Sequence, residues 1–440
     1  MRLRRRLLTG LVAFSARHAA GLRVVLPDGE AIGADANPKV TLTFRSWGVV
    51  RSLLTGRMDK LGDAYVSGDI GVDGSLHDIL QLGVALAESF GRAPRLAAAF
   101  KPLALRPFRH TRRNDKAAVQ SHYDVSNDFY RLWLDDSMTY SCAYFRTGKE
   151  DIHQAQAQKI DHICAKLRLA PGDRLLDIGC GWGGLVRRAA RERGVHALGV
   201  TNSPAQYEFA RSRVAQDGLD ARVEIRLQDY RDIPGDGAFD KIVSVGMYEH
   251  VGLNNLHAYF GQVARLLKPG GTFLNHGIIT TDPEGLAQGP PGGEFINRHV
   301  FPGGELPNLP RVLKEMARRR LEPVDIEDLR PHYARTLLLW ASRFEAHADE
   351  VIKAGGEERY RVWRVYLAGM AHAFDSAWLS IAQVLAYKPA GGRPAPRPFS
   401  RAYQYREEGS VPIAGPLDWT VDLAAQAGPH AKSPAASQFS

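Results

Sequence analysis

The chain has 440 residues, of which 44% are hydrophobic and 24% are charged, a composition typical of a globular protein. Its length allows two or three domains, and its formal net charge of +9 favours an anionic partner, either nucleic acid or an anionic lipid surface. The three cysteines lack CxxC spacing, which argues against a zinc site or a disulfide framework and predicts a cytoplasmic protein. No apolar run reaches the roughly eighteen residues of a membrane span.

The amino terminus, MRLRRRLLTGLVAF, combines a basic start with a short apolar stretch. Thr9 and Gly10 interrupt that stretch and no small-residue cleavage site follows, so we expect the segment to be retained in the protein. Residues 1–18 fit a basic amphipathic helix lying on lipid, and they fit equally well a helix packed on its own domain.

Strand-like and helix-like segments alternate over residues 1–100, where GLRVVL and VTLTF predict strands and SLHDILQLGVALAESF predicts a helix. These segments indicate a small α+β domain. The proline-containing basic segment 101–116 is typical of a solvated linker. Residues 396–440 are rich in Pro, Gly, Ala and Ser, which predicts an extended and partly disordered tail.

Between residues 117 and 395 the pattern becomes a regular alternation of strands and helices, which predicts a catalytic domain with a mainly parallel sheet. Five segments predict strands: RLLDIG, HALGVTN, RVEIRLQD, DKIVSVGM and GTFLNHGI. Two segments predict the helices between the first three of them: LVRRAARER and PAQYEFARSRVAQ. The expected fold class is therefore α/β and Rossmann-like, with a smaller α+β domain before it.

A glycine-rich loop, DIGCGWGG at residues 177–184, joins the first of these strands to its helix. Gly179 and Gly181 permit a tight turn and a close approach of the backbone to a ligand. The acidic Asp177 would repel the pyrophosphate of a dinucleotide, and no carboxylate ends the second strand to bind a ribose. A cationic cofactor fits better, which favours S-adenosylmethionine. The alternative is a tight strand–helix corner without a ligand.

Two further positions support the cofactor interpretation. Gln206 follows Thr201 by five residues, at the start of the second helix, where its amide can reach a cofactor. Asp229 ends the third strand, from which a carboxylate can accept a hydrogen bond from an adenine amino group. Together these residues predict a class I S-adenosylmethionine methyltransferase domain.

Several long segments resemble the cyclopropane-fatty-acyl-phospholipid synthase family, in the same order along residues 50–390. They are SHYDVSNDFYRLWLDDSMTYSCAYF (121–145), LLDIGCGWGGL (175–185), VTNSPAQ (200–206), VSVGMYEHVG (243–252), FINRHVFPGGELPNL (295–309) and HYARTLLLWASRF (332–344). The resemblance implies transfer of a methylene unit from S-adenosylmethionine to the cis double bond of an unsaturated phospholipid acyl chain. It also implies a carbocation intermediate, which a bound bicarbonate ion deprotonates.

The resemblance places two sets of ligand contacts on this chain. The S-adenosylmethionine contacts fall on Tyr140, Ser141, Gly179, Gly181, Thr201, Gln206 and Asp229, with Tyr230 and Arg231 beside the adenine edge. The bicarbonate contacts fall on Cys142, Glu249, His276, Ile278 and Tyr333. Cys142 and Ile278 are expected to offer backbone groups, and the other three to offer polar side chains. Each residue alone would fit ordinary core packing, and only their joint order favours the functional interpretation.

One position departs from the family pattern. Gly277 follows His276 where family members commonly have threonine, and the missing hydroxyl is expected to loosen the anion site or to alter the product. The alternative function is a fatty-acid C-methyltransferase that leaves a methyl or methylene branch. A small-molecule N-methyltransferase, a noncatalytic lipid-binding protein and a nucleic-acid methyltransferase are less consistent with the motifs.

The expected partners follow from the same resemblance. The resemblance implies that the amino-terminal domain of this chain engages lipid and supports a homodimer. No nucleic-acid partner is expected. We therefore predict a protein that associates peripherally with the inner surface of a membrane, where its basic residues contact anionic headgroups.

Overall fold

A small mixed sheet forms the first folded unit of the chain. This computed structural model describes residues 4–6, 8–10, 12–13, 21–33, 37–54, 58–91, 110–112, 114–115, 126–283, 293–391, 398 and 400–405. The sheet has the order β2-β1-β3-β4 and is built from β1 (Leu22–Val25), β2 (Ala31–Ile32), β3 (Val40–Phe44) and β4 (Ile70–Gly74). Among the described residues, the helices α1 (Trp47–Leu54), α2 (Met58–Val66) and α3 (Leu76–Gly91) accompany it.

The amino-terminal basic segment packs on this small unit. Residues 4–6, 8–10 and 12–13 have helical backbone, and Leu8 is fully buried in the same core as the strands. Arg5 forms an ion pair with Glu30 at 3.0 Å, and the Arg4 guanidinium lies 5.9 Å from the centre of the Trp47 ring. The second sequence alternative, a helix packed on its own domain, is therefore the one observed for the described residues.

A seven-stranded sheet forms the centre of the larger unit. Its strands are β5 (Arg174–Ile178), β6 (His196–Thr201), β7 (Val223–Leu227), β8 (Phe239–Val245), β9 (Leu267–Thr280), β10 (Glu322–Asp328) and β11 (Leu379–Tyr387). They lie in the order β10-β11-β9-β8-β5-β6-β7, and β11 runs antiparallel to both of its neighbours. This arrangement confirms the predicted α/β class, and the five predicted parallel strands all occur.

Ten helices and four short 3-10 helices accompany this sheet in the described residues. The helices are α4 (Asn127–Arg131), α5 (Ile152–Leu167), α6 (Gly184–Arg193), α7 (Pro204–Gln216), α8 (Leu256–Leu266), α9 (Gly293–His299), α10 (Leu309–Arg318), α11 (Arg330–Ala346), α12 (Ala348–Gly355) and α13 (Glu357–Asp375). The 3-10 helices span Tyr230–Asp232, Tyr248–His250, Leu253–Asn255 and Ala402–Gln404. None of the described helices is long and apolar enough to cross a bilayer.

Local sequence signals set the ends of several helices. Ser203 caps α7 by accepting a hydrogen bond from the Gln206 N–H, and Pro204 occupies its first turn, where a missing N–H costs nothing. Asp151 caps α5 in the same way through the Gln154 N–H at 2.7 Å. α6 lacks a side-chain cap and follows Gly183, whose φ of 81° suits glycine. The observed bounds of α7 match the predicted segment PAQYEFARSRVAQ.

The order of the strands determines where a ligand can bind. From β5 the chain continues to β6 on one side, and it later returns to place β8 on the other side of β5. The loops after β5 and β8 therefore diverge and leave a crevice at the carboxyl ends of these strands, the usual ligand site of such sheets. The glycine-rich loop follows β5 at this crevice.

The two units contact each other through polar groups and through apolar residues such as Val66, which is buried in the core cluster of the larger unit. The Arg298 guanidinium donates to the Asp63 carboxylate, and the His299 Nε2 lies 3.2 Å from the same carboxylate. Arg361 donates to the Tyr65 carbonyl at 3.5 Å. These contacts place α2 against α9 and α13. The predicted domain boundaries at residues 100, 116 and 395 remain predictions, and residues 396, 397, 399 and 406–440 of the predicted tail lie outside the described residues.

The carboxyl-terminal part that is described packs on the larger unit. Gln404 is buried, and its carbonyl lies 3.2 Å from the His162 Nδ1. Arg401 donates to the Asp325 carboxylate at 2.5 Å. Residues 400–405 are therefore held against α5 and β10, within the segment whose composition predicted an extended tail.

Candidate active site

A cavity of about 1100 Å3, counting its open mouth, lies in the crevice between β5 and β8. Nine of the ten residues predicted at the cofactor site line it: Tyr140, Ser141, Asp177, Gly179, Gly181, Thr201, Gln206, Tyr230 and Arg231. The tenth, Asp229, is next to Tyr230 in the chain. The predicted S-adenosylmethionine contacts therefore surround one space.

The glycine-rich loop forms the floor of this cavity. Gly179 has φ 82°, and a Cβ there would lie 2.8 Å from the Met247 side chain, so the close approach of the two loops requires glycine. Gly181 also has a positive φ, of 56°, and its Cβ position faces open space. A ligand can therefore approach the loop backbone at Gly181 without obstruction.

Thr201 and Gln206 form a pair at the end of β6. The Thr201 hydroxyl donates to the Gln206 carboxamide oxygen at 2.7 Å, and both residues are buried. The Ser203 N–H donates to the same hydroxyl at 3.2 Å. This pairing leaves the amide nitrogen of Gln206 as the group that can donate toward the cavity.

Asp229 is held in an ion pair at the other end of the cavity. Arg231 donates to both oxygens of its carboxylate, at 2.9 and 2.7 Å. Burial raises the pKa of Asp229, and the hydrogen bonds from Arg231 more than offset it, so the pKa is lowered. Arg231 also donates to Asp115 at 3.2 Å, and the His110 Nδ1 lies 3.0 Å from Asp115.

This network corrects one expectation about the segment 101–116, which was predicted to be a solvated linker. Residues 101–109, 113 and 116 lie outside the described residues. At the end of the segment, however, Asp115 is buried and lines the cavity, and His110 is largely buried against Gly252. The ion pair with Arg231 offsets the hydration that Asp115 loses on burial. The composition of the segment could not predict this partner.

Side chains of α5 and the side chain of Asp135 hold the segment that contains Tyr140 and Ser141. Gln156 donates to the carbonyl of Ser141 at 2.8 Å, and the Lys159 ammonium donates to the Ser141 hydroxyl at 2.9 Å. Asp135 accepts from the Thr139 N–H at 2.7 Å. All of these anchors are buried, so the backbone that presents Ser141 to the cavity is rigidly placed.

Asp177 ends β5 and is almost completely buried. Burial raises its pKa to about 7, and the nearby Lys159 ammonium lowers it from a still higher value. A ligand with a positive charge would favour the ionised form of this carboxyl group. The position of Asp177 is thus consistent with the cationic cofactor that its sequence context predicted.

Glu249 lies at the open end of the sheet, in the 3-10 helix Tyr248–His250. β8 ends at Val245, so β9 has no partner strand on that side beyond His276. Side chains replace the missing strand beside Ile278. The Glu249 carboxylate accepts the Ile278 N–H at 2.8 Å, and the Tyr248 hydroxyl donates to the Ile278 carbonyl at 2.6 Å. Burial raises the pKa of Glu249 to about 7, against the lowering effect of the Ile278 hydrogen bond.

This geometry differs from the expected role of Ile278, which was to offer backbone groups to an anion. Both of its backbone groups are already bonded, to Glu249 and to Tyr248. Ile278 therefore positions Glu249, and its side chain packs against the apolar cluster around Tyr333.

His276 is fully buried two residues before Ile278, on the same face of β9. Burial lowers its pKa well below the usual value, so the ring is neutral. Its Nδ1 lies 3.2 Å from the amide nitrogen of Gln383, a group that can only donate. The ring proton is therefore assigned to Nε2, which makes Nε2 a donor.

Cys142 and Tyr333 meet at one backbone carbonyl. The Cys142 Sγ lies 3.8 Å from the Leu329 carbonyl, which also accepts the N–H of Tyr333 at 3.0 Å. The Ala143 N–H donates to the Thr336 hydroxyl at 3.0 Å, which holds the segment after Cys142 against α11. Cys142, Tyr333 and Ile278 belong to one packed cluster.

None of the five predicted anion contacts lines the cofactor cavity, although two of them are close in sequence to residues that do. Cys142 follows the cavity residue Ser141, and Glu249 follows the cavity residue Met247 by two positions. Burial of an ionisable carboxyl and a neutral histidine here, beside an apolar cluster, creates a site from which water is largely excluded.

Sequence reasoning missed several residues of this region. Aromatic rings surround Tyr140 within 6.0 Å between centroids: Tyr130, Trp133, Trp340 and Trp363. The Trp182 indole lines the cofactor cavity and donates to Asn127 at 2.7 Å. Lys159 was also missed, although it occupies a position on α5 where the helical spacing of Ile152, Ala155 and Ile163 calls for an apolar residue.

Comparisons with known protein families give two matches along the chain. The family described as "Mycolic acid cyclopropane synthetase" matches residues 110–384. A family described as a domain of unknown function matches residues 13–94.

Individual relatives extend over most of the chain. A "Probable fatty acid methyltransferase" of Pseudomonas putida is 42% identical over 385 residues, which cover 88% of this chain and 96% of that protein. The "Cyclopropane-fatty-acyl-phospholipid synthase" of Escherichia coli is 39% identical over 272 residues, or 60% of this chain and 66% of that protein.

Solved structures show the same fold. The cyclopropane synthase MmaA2 from Mycobacterium tuberculosis is 34% identical and superposes with a TM-score of 0.59, covering 62% of this chain and 98% of that one. Mycolic acid cyclopropane synthase CmaA1, complexed with SAH and CTAB, is 35% identical with the same TM-score and the same coverage. The matched region leaves the small amino-terminal unit as an addition to a class I S-adenosylmethionine methyltransferase fold.

Proposed function

The chain belongs to the cyclopropane synthetase family of S-adenosylmethionine-dependent lipid-modifying enzymes, and on that premise we propose that it acts on membrane phospholipids. In this proposal it transfers a methylene unit from S-adenosylmethionine to the cis double bond of an unsaturated acyl chain and forms a cyclopropane ring. The whole of this reaction requires a methyl donor, a dry site for the alkene and a base.

The observation that carries the proposal is that two of the predicted anion contacts each have a buried polar atom without a hydrogen-bond partner. The Glu249 Oε2 and the His276 Nε2 have no hydrogen-bond partner among the described residues. Such groups are costly to bury alone, because each loses its bonds to water. A small anion with a hydroxyl group offers both an acceptor for His276 and a donor for Glu249.

Bicarbonate has this combination of groups, and when bound it supplies a base close to the reacting carbon. Glu249, His276 and Tyr333 would hold it through their side chains, and Cys142 would adjoin it. Glu249, whose pKa lies near 7, can take up or release a proton at neutral pH.

The aromatic residues fit the charge that develops on the acyl chain. Methyl transfer to an isolated alkene leaves a carbocation, which the faces of aromatic rings stabilise without being alkylated as readily as a strong nucleophile. Tyr140, Trp340 and Tyr333 lie on the apolar side of the site, and the Tyr333 ring is packed against Trp340 at 6.2 Å. The apolar surroundings also keep water from the cation.

A fatty-acid C-methyltransferase is the second candidate. Relatives described as a probable fatty acid methyltransferase and as a tuberculostearic acid methyltransferase match 88% and 82% of the chain. In that reaction the same carbocation would lose a proton to leave a methylene branch, and a saturated methyl branch would require a hydride donor in addition. The fate of the cation therefore separates the two candidates.

Product analysis distinguishes them directly. We expect that the chain, expressed in a bacterial host without cyclopropane lipids, adds one carbon to unsaturated phospholipid acyl chains. A cyclopropane and an exomethylene product share a mass, so proton NMR is the deciding measurement. Upfield ring-proton signals support the first candidate, vinylidene or new methyl signals support the second, and unchanged lipids would contradict both.

Membrane docking is the part of the proposal that concerns partners. Trp47 is 37% exposed beside Arg4 on the small amino-terminal unit, and Arg6 is exposed as well. Tryptophan is favoured at membrane interfaces, and each arginine near an anionic surface contributes about 1 kcal/mol. We propose that this surface docks the enzyme peripherally on the cytoplasmic face of a membrane, as a homodimer.

Vesicle sedimentation tests this docking surface. We expect the Arg4→Gln, Arg6→Gln double variant to bind vesicles with anionic headgroups roughly 30-fold more weakly at low salt, which corresponds to about 1 kcal/mol per residue. Removal of two exposed charges elsewhere, Lys149→Gln and Lys353→Gln, serves as the matched control. Binding that is insensitive both to salt and to the arginine substitutions would exclude electrostatic docking here.

A further inference from the structure

Lys159 is a buried lysine that the reaction described above does not use. It lies on α5 with only 2% of its surface exposed, and it lines the cofactor cavity. Its ammonium group donates one hydrogen bond, to the Ser141 hydroxyl at 2.9 Å. An ammonium group has three donors, so two remain for another partner.

Asp177 is the opposite charge in the same cavity. No described residue donates a hydrogen bond to its carboxylate, and no described carboxylate lies within the 4.0 Å of an ion pair from the Lys159 ammonium. Burial lowers the pKa of Lys159 to about 8 and raises that of Asp177 to about 7, and the charge of each opposes the shift of the other; the buried Asp135 acts on Lys159 in the same direction as Asp177. They are a buried acid and a buried base that face one space without touching.

Such an arrangement is unfavourable in the absence of a ligand. A buried charge loses its hydration, and it regains little of that free energy when its counter-charge is out of contact. A ligand that carries both a cation and an anion a few bonds apart can satisfy both groups at once. The methionine part of S-adenosylmethionine, with its α-ammonium and α-carboxylate, is a ligand of this kind.

We propose that Lys159 binds the α-carboxylate of the methionine moiety, opposite an ammonium group held by Asp177. Ser141 completes the contact, because its hydroxyl accepts from Lys159 and keeps its own proton to donate. Gln156, one turn before Lys159, fixes the same segment through the Thr139 and Ser141 carbonyls. The lysine thereby selects a donor that carries a carboxylate.

The opposing interpretation is that Lys159 only supports the backbone around Ser141. Both interpretations expect weaker cofactor binding when Lys159 is removed. They differ in what happens to a ligand that lacks the carboxylate, because only direct recognition discriminates between the two ligands.

Calorimetry with two ligands decides between them. The probes are S-adenosylhomocysteine and its decarboxylated analogue, 5'-deoxy-5'-(3-aminopropylthio)adenosine. We expect the unmodified protein to bind S-adenosylhomocysteine at least about 30-fold more tightly, in the range seen when one member of a buried charge pair is removed. In Lys159→Met the affinity for S-adenosylhomocysteine should fall by a similar factor, and the affinity for the analogue should hardly change.

Two further variants sharpen the result. Asp177→Asn should weaken both ligands alike, since both keep the ammonium group. Lys149→Met, at an exposed position, should leave both affinities unchanged. Equal binding of the two ligands by the unmodified protein would overturn the proposal without any variant, and so would equal losses for both ligands in Lys159→Met.

Discussion

The Glu249→Gln variant is expected to lose at least about a hundredfold in product formation, while its fold becomes more stable above pH 7. General acid–base groups contribute about a hundredfold or more to rate, and an amide cannot exchange a proton. The substitution keeps the size of the side chain and the acceptor for the Ile278 N–H, so the loop should retain its position. Lipid product per enzyme is the measurement.

The gain in stability follows from the pKa of Glu249, which burial raises from 4.5 to about 7. The folded protein then binds this proton more tightly than the unfolded chain does. The contribution of Glu249 to stability is therefore greatest below pH 4.5, falls as the pH rises toward 7, and stays constant above it, with a total loss of about 3 kcal/mol at most. Glutamine removes that loss, so the difference between the two proteins should be large near pH 8 and small near pH 5.

Two other substitutions serve as comparisons for this variant. Glu208→Gln, at an exposed position on α7, should change neither activity nor stability. Tyr333→Phe should also lose product, because it removes a hydroxyl that the proposed anion site would use. Robust product formation by both Glu249→Gln and Tyr333→Phe would remove the anion site from consideration.

Gly277→Thr is expected to destabilise the fold by about 3 kcal/mol and to reduce activity as a consequence. A Cβ at this position would lie 1.8 Å from the Tyr248 ring, which is buried and cannot move aside freely. Displacement of the ring would break the hydrogen bond from Tyr248 to the Ile278 carbonyl and would disturb the neighbouring Glu249. Denaturant unfolding at neutral pH measures the loss.

The double variant Gly277→Thr, Tyr248→Ala tests the cause of this loss. If the clash is responsible, threonine at position 277 should cost less stability in the Tyr248→Ala background than in the unmodified protein. Gly369→Ala is the matched control, because this glycine is exposed within α13 with nothing within 4 Å, and alanine there should stabilise the helix by up to about 1 kcal/mol. A Gly277→Thr variant as stable as the unmodified protein would show that the ring can relocate.

The position of Gly277 also corrects an expectation drawn from the sequence. The missing threonine hydroxyl was expected to loosen the anion site. In the strand, however, residue 277 points to the face opposite His276 and Ile278, where it lies against Tyr248. Gly277 thus makes room for the tyrosine that anchors the loop with Glu249, and it gives no reason to expect a different product.

The sequence by itself determined the features that depend on local chemistry. The glycine-rich loop, the cap and first turn of α7, and the alternation of strands and helices could be assigned because turns, caps and periodic burial are properties of neighbouring residues. Asp177, Thr201 and Gln206 could be placed at one site because parallel strands bring their carboxyl ends to one edge of a sheet.

Tertiary structure alone decided which distant groups meet. The occupation of the Ile278 backbone by Glu249 and Tyr248, the burial of Asp115 against Arg231, and the approach of Lys159 to Ser141 join residues from separate elements. The partner determines what a buried ionic or polar group can do, because an unpaired buried charge is costly and a paired one is tolerated. The pattern of a single segment carries no information about a partner that only folding supplies.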